Sequence, residues 1–104
     1  MCYGSDMRYE IVLTDTAKEH YGALDARGRA LIKDGLDDHL AHEPMKVSRS
    51  RIKRLREMEH PEFRLRLDPY RIFYDVIGQR VIVLAIVPKD DTAEWLNAHG
   101  VKSS

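Results

Sequence analysis

The chain has 104 residues, of which 43% are hydrophobic, and its 17 basic side chains balance its 17 acidic ones. This length allows one small domain with a single core and excludes a two-domain protein, and the apolar content excludes a disordered chain. The single cysteine, Cys2, excludes an internal disulfide and a cysteine-rich metal site.

The first half of the chain predicts a strand followed by two helices. Alternating apolar side chains in residues 8–14 indicate a half-buried strand. Thr16 and Glu19 have the spacing of a capping box, which predicts that the first helix begins at Thr16. Gly28, or the residues just before it, should separate the two helices, and the second helix should end before Pro44. The apolar stripe of this second helix consists of Leu31, Ile32, Leu36 and Leu40.

The middle of the chain predicts a basic loop and a β-hairpin. The segment SRSRIKRLR at residues 48–56 reads as a basic loop that leads into a short strand. Residues 63–67 and 70–76 alternate with period two, and the Asp-Pro pair at 68–69 between them is a turn signal. These two segments should therefore form the two strands of a hairpin.

The last part of the chain predicts a central strand and a final helix. Residues 80–87 are apolar on both faces, which is typical of a strand that is covered on both sides. Asp91 or Thr92 can begin the final helix, and Gly100 can end it. The order of elements predicts an α+β domain with one mainly antiparallel sheet and helices packed on it.

We expect one domain over residues 8–100, with a loose N-terminal extension at 1–7 and a C-terminal tail at 101–104. The first ten residues lack the apolar segment of a secretory signal, and no apolar run has the length that a bilayer requires. The sequence therefore predicts a cytoplasmic protein without a membrane partner.

The neutral total charge conceals a basic band in the middle of the chain. Residues 46–71 carry nine basic side chains against four acidic ones, a balance of +5, whereas residues 1–45 carry five against nine, a balance of −4. In this band, Arg64 and Arg66 share one face of a strand and Arg71 returns beside them across the turn. Such a band is typical of proteins that bind phosphate groups or acidic partners.

The alternative to a binding site is a solvated face on which acidic side chains neutralise the arginines. On this interpretation Glu57, Glu62 or Asp75 would pair with Arg64 and Arg66. Arg71 would then bridge to an acidic residue of the second helix. The histidines His20, His39 and His42 lie in the predicted helices without the spacing of a metal site, and we interpret them as surface residues.

Several segments, in this order along the chain, resemble the RelE/ParE superfamily of type II toxins. The resemblance covers residues 8–97 and rests on KRL at 53–55, FRLRL, YRIFYDV, RVIVLAIV and PKDDTAEWL. It implies an N-terminal strand and two helices, followed by a twisted, mainly antiparallel sheet of about four strands and a C-terminal helix.

The resemblance also implies a function. RelE-like members cleave mRNA in the ribosomal A site, whereas ParE-like members poison DNA gyrase. We favour a metal-independent, ribosome-dependent mRNA endoribonuclease that inhibits translation, needs no cofactor and is neutralised by a cognate antitoxin, as in plasmid stabilisation systems. The alternatives are a gyrase inhibitor and a catalytically silent member that only binds its antitoxin. A homodimer or a toxin–antitoxin heterotetramer would be the expected assembly.

Site residues follow from the resemblance position by position. The catalytic set it implies is Arg64, Arg66, Arg71 and Lys89. The RNA-binding set is Arg51, Lys53, Arg54 and Arg56. Ribonuclease members place a basic residue, and then a Tyr or His, after the last strand, where this chain has Asp91 and Asn97 at the expected tail positions.

Arginine alone does not complete this chemistry. A guanidinium group binds phosphate oxygens through two parallel hydrogen bonds, but it stays protonated at neutral pH and transfers protons poorly. The candidate acid and base are Lys53, His60 and His99. The sequence does not place any of them beside the arginines.

Overall fold

The computed structural model describes residues 8–102, so the extension predicted at 1–7 lies outside the described residues. The strands are β1 Glu10–Leu13, β2 Ile52–Arg54, β3 Met58–His60, β4 Phe63–Leu67, β5 Tyr70–Ile77, β6 Arg80–Pro88 and β7 Val101–Lys102. The α-helices are α1 Asp15–Ala23, α2 Ala26–Gly35 and α3 Thr92–His99. A π-helical turn, Leu36–Leu40, extends α2, and a 3-10 turn, Lys89–Asp91, precedes α3.

Five strands form one sheet in the order β1-β6-β5-β4-β2. β1 runs parallel to β6, and the other neighbours are antiparallel. The apolar strand β6 lies between β1 and β5, as its sequence predicts. The α+β class, the hairpin of β4 and β5 and the order of elements are thus confirmed. None of the helices within residues 8–102 is long and apolar enough to span a membrane.

The two faces of the sheet are covered by different helices. On one face, the main core packs Ile32 of α2 against buried strand residues that include Leu65 and Tyr74. On the other face, a smaller cluster packs α3 against β5 and β6, where the Trp95 ring stacks on Phe73 at 5.1 Å and 7°. α3 therefore crosses the sheet on the face opposite to α1 and α2.

α1 begins at Asp15, one residue before the predicted Thr16. Thr14 is the N-cap, and its hydroxyl oxygen accepts a hydrogen bond from the backbone N–H of Ala17 at 3.2 Å. The same hydroxyl donates to the carbonyl of Leu84 in β6 at 3.2 Å. This contact between distant parts of the chain fixes the start of the helix. The local capping-box spacing does not contain that information.

The residues just before Gly28 separate the two helices, as predicted, and Gly28 itself belongs to α2. Asp25 caps α2, and its carboxylate accepts from the backbone N–H of Gly28 at 2.7 Å, so Gly28 belongs to the first turn. A Cβ atom there would lie 3.3 Å from the Tyr70 hydroxyl, which favours glycine at this close approach.

A second, two-stranded sheet was not predicted. β3 pairs with β7, with Met58 opposite Lys102 and His60 opposite Val101. The segment assigned to the tail at 101–104 thus contributes a strand. Both strands are too short to show alternation in the sequence.

Candidate phosphate-binding site

The pairing of β4 with β5 brings three arginines to one face of the sheet. Arg66 lies opposite Arg71, and Arg64 lies opposite Phe73. Directly opposed residues of an antiparallel pair project to the same face, which here is the face that α3 crosses. We call Arg64, Arg66 and Arg71 the arginine cluster. Its members were predicted to meet, and the strand register places them together.

Asp68, in the turn between the two strands, pairs with two members of the cluster. Arg66 approaches it through Nε at 3.1 and 3.0 Å and through Nη2 at 2.8 Å, and Arg71 Nη1 donates to Oδ1 at 3.0 Å. The hydrogen bonds from Arg66, and then those from Arg71, lower the pKa of Asp68 to about 2. The Asp68 hydrogen bond also raises the pKa of Arg66.

The sequence interpretation missed this role of Asp68. It assigned Asp68 only to the turn and sought the partner of Arg71 in the second helix. The sequence does contain a signal for this pairing, because Asp68 lies two residues after Arg66 and three residues before Arg71.

Arg64 is the member of the cluster without such a partner. Its Nε atom is buried and has no hydrogen-bond acceptor among the described residues. Burial, and then the charges of Arg71 and Arg66, lower the pKa of Arg64. Among residues 8–102, Asp68 is the one carboxylate that forms an ion pair with the three guanidinium groups, and an added anion would supply an acceptor for Arg64.

Two predicted lysines flank the arginine cluster on different sides. Lys53 of β2 lies opposite Arg64, and both line a recess of about 90 Å³. Lys89 follows β6, and its backbone N–H donates to the carbonyl of Pro69 in the hairpin turn at 2.9 Å. Lys89 and Arg66 line a second recess of about 290 Å³.

The other residues predicted to bind RNA lie in different surroundings. Arg51 is next to the cluster, since its Nη1 donates to the carbonyl of Arg66 at 3.2 Å. Arg54 instead lies 5.6 Å from the ring centre of Phe63, on the face of β2 opposite to Lys53. Arg56 is exposed in the loop after β2.

Of the two candidate histidines, His60 lies away from the cluster, whereas His99 lies in α3, which crosses the same face of the sheet. His60 Nδ1 lies 2.8 Å from Oδ2 of buried Asp75, which is four residues beyond Arg71 and so about 13 Å further along β5. The His99 ring lies 5.3 Å from the Trp95 ring in α3. No group of three or more His, Cys, Asp or Glu within residues 8–102 has the arrangement of a metal site.

The fold and the basic sheet face agree with the resemblance found in the sequence, and comparison with known proteins identifies the class directly as a type II toxin. The family model described as "ParE toxin of type II toxin-antitoxin system, parDE" matches residues 11–92. This covers most of the chain. The protein therefore belongs to the ParE toxin family and, with it, to the RelE/ParE superfamily.

Solved structures give the same fold. The RelBE2 toxin–antitoxin complex of Mycobacterium tuberculosis matches with a TM-score of 0.67 and 25% identity over 78% of this chain and 98% of that one. The RelE–RelB complex of Pyrococcus horikoshii matches with a TM-score of 0.64 and 19% identity over 79% of this chain and 96% of that one. The corresponding complex of Methanococcus jannaschii gives 0.62 and 17%, over 81% and 96%. No curated protein sequence gives a match.

Proposed function

We propose that this toxin is a metal-independent endoribonuclease that cleaves mRNA on the ribosome and so inhibits translation. The observation that carries the proposal is the arginine cluster, in which Arg64 has a buried Nε without an acceptor. RNA offers the matching group, a phosphodiester with two unesterified oxygens.

The proposed reaction is attack of a ribose 2′-oxygen on the neighbouring phosphorus. The new bond joins the 2′-oxygen to phosphorus, and the bond to the 5′-oxygen breaks. The products are a 2′,3′-cyclic phosphate on one fragment and a 5′-hydroxyl on the other. The arginine cluster would hold the phosphate in line and stabilise the charge that builds on its oxygens in the transition state.

Two proton transfers complete this reaction, one from the 2′-hydroxyl and one to the 5′-oxygen. Within the proposal these belong to Lys53 and Lys89, because each lines a recess together with a member of the arginine cluster. His60 is an unsuitable donor because its Nδ1 is engaged by Asp75, remote from the cluster.

A cognate antitoxin is the protein partner in this proposal. The three solved relatives are each described as complexes of a RelE toxin with a RelB antitoxin. The basic face of the sheet would favour an antitoxin segment with acidic side chains. Such a segment would compete with RNA for the arginine cluster.

One observation favours a second function, inhibition of DNA gyrase. The matching family model is that of a ParE toxin. In this case the basic face would bind a protein or DNA surface and catalyse no reaction.

An in vitro translation reaction, followed by primer extension on the message, separates these functions. We expect cuts within the translated region by the wild type. The Arg64→Ala and Arg71→Ala proteins should cut at a rate lower by about 10²-fold or more, because a lost transition-state donor has this effect. Unfolding curves would establish that both variants are folded.

The matched control is Arg80→Ala, because Arg80 is an exposed arginine that pairs with Glu10 at the opposite end of β6. It should cut like the wild type. An intact message together with cleaved DNA trapped on gyrase would replace the proposal with the second function. Absence of both activities, with antitoxin binding retained, would indicate a silent toxin.

A further inference from the structure

Asp68 lies at the entrance of the arginine cluster. Its side chain is 53% exposed, whereas that of Arg71 beneath it is 12% exposed. The Asp68 carboxylate accepts hydrogen bonds from Nε of Arg66 and Nη1 of Arg71, and it forms an ion pair with Nη2 of Arg66. The Nε–Nη2 edge of a guanidinium is a fork that a phosphate group also binds through two parallel hydrogen bonds.

We propose that Asp68 is an internal competitor of the RNA phosphate, bound to Arg66 and Arg71 in the free protein and displaced when the phosphate binds. The inference rests on the proposed function in that the natural anion is taken to be an RNA phosphate. Asp68 lowers the affinity of the site for anions and keeps two closely spaced arginines in place until a ligand arrives.

The unequal pairing of the three arginines gives the order of events. Arg64 has no carboxylate partner among the described residues, so a phosphate can pair with its guanidinium group before it displaces Asp68. Arg66 then exchanges Asp68 for the phosphate. This exchange requires only that the Asp68 side chain turns into water. The cost in free energy is small, because exposed ion pairs contribute little stability and water can solvate the released carboxylate.

This arrangement favours extended anions over small ones. A single inorganic phosphate can use Arg64, but it must also displace Asp68 to reach Arg66. A strand of RNA gains further contacts from Lys53 and Arg51, which border the same recess as Arg64. These contacts offset the loss of the Asp68 ion pairs.

The test compares the binding of a short single-stranded RNA and of inorganic pyrophosphate to Asp68→Asn, Asp68→Glu and wild-type protein at low ionic strength. Asn keeps the turn preference and the size of Asp but removes the charge. We expect Asp68→Asn to bind the RNA roughly tenfold tighter, by fluorescence anisotropy, because one carboxylate no longer competes for two arginines.

Pyrophosphate binding is followed through the NMR resonance of the Arg66 Nε–H. In Asp68→Asn this resonance should shift at a lower pyrophosphate concentration than in the wild type. Asp68→Glu should bind like the wild type.

The matched control is Asp90→Asn. Asp90 lines the same recess as Asp68 and Lys89 but makes no ion pair with the arginine cluster within residues 8–102. Asp90→Asn changes the net charge by the same amount as Asp68→Asn but releases no arginine. It should therefore alter the RNA affinity less than twofold. Equal gains in both variants, or an unchanged or weaker affinity in Asp68→Asn, would overturn the inference. Absence of RNA and pyrophosphate binding in both wild type and Asp68→Asn would overturn it as well.

These binding measurements need neither a ribosome nor a cleavage reaction. If Asp68→Asn binds more tightly while no protein cuts the message, the competitor role stands and the proposed function fails. If the message is cut while the affinity of Asp68→Asn is unchanged, the proposed function stands and the competitor role fails.

Discussion

Replacing Arg64 by methionine should stabilise the fold and weaken RNA binding. In the wild type, the Nε of Arg64 is buried without an acceptor, and Arg71 and Arg66 repel its charge. A buried unsatisfied donor costs roughly 1–3 kcal/mol. We expect a gain near the lower end, about 1 kcal/mol, because part of the guanidinium reaches water. Methionine keeps the unbranched aliphatic stem that packs beside Phe73.

Urea unfolding monitored by Trp95 fluorescence measures this gain. A change of about 1 kcal/mol corresponds to roughly 4–8 °C in the melting temperature of a domain of this size. The matched control is Arg66→Met, which removes an exposed arginine that is already paired with Asp68. This control should leave the free energy of unfolding unchanged or slightly lower, because an exposed ion pair contributes little stability.

The reasoning would be refuted if Arg64→Met unfolded at a lower urea concentration than the wild type. That result would mean that Arg64 raises the free energy of unfolding, whereas the reasoning requires that it lowers it. A stable Arg64→Met protein that bound RNA as tightly as the wild type would instead contradict the role of Arg64 in anion binding.

Three further predictions concern the fold and the pH dependence of stability. Thr14→Ala should lower the free energy of unfolding by about 1 kcal/mol through loss of the helix cap, whereas Thr16→Ala should change it by less than about 0.5 kcal/mol, both by urea unfolding. Gly35→Ala should destabilise by about 1–3 kcal/mol, because its Cβ would lie 2.2 Å from Leu67 Cδ1. The pKa of Asp68 is lowered from 3.8 to about 2, so its stabilising effect is present above about pH 4 and is lost as the pH falls towards 2. Over this range Asp68→Asn should lose less stability than the wild type.

The pattern of side chains predicted most of the sheet and the meeting of the arginines. Period-two alternation places Arg64 and Arg66 on one face whatever the details of the fold. The turn signal at 68–69 sets the register that returns Arg71 beside them. These features follow from local geometry, which is why the sequence predicts them.

Features that depend on contacts between distant segments were not predictable in this way. The Thr14 cap is fixed by a bond to Leu84 in a strand 70 residues away. The positions of His60 and His99 depend on the small β3–β7 sheet and on the packing of Trp95 against Phe73. The sequence therefore predicts which arginines share a face of the sheet better than it predicts the surroundings of His60 and His99.

The most direct test of the central claim is the chemistry of the cut RNA ends after reaction with translating ribosomes. Mass spectrometry of the fragments should show a 2′,3′-cyclic phosphate on the upstream piece and a 5′-hydroxyl on the downstream piece. Both ends should form more slowly, by about 10²-fold or more, when Arg64→Ala replaces the wild type. An intact message, or cut ends that form equally with the Arg64→Ala protein, would contradict the account.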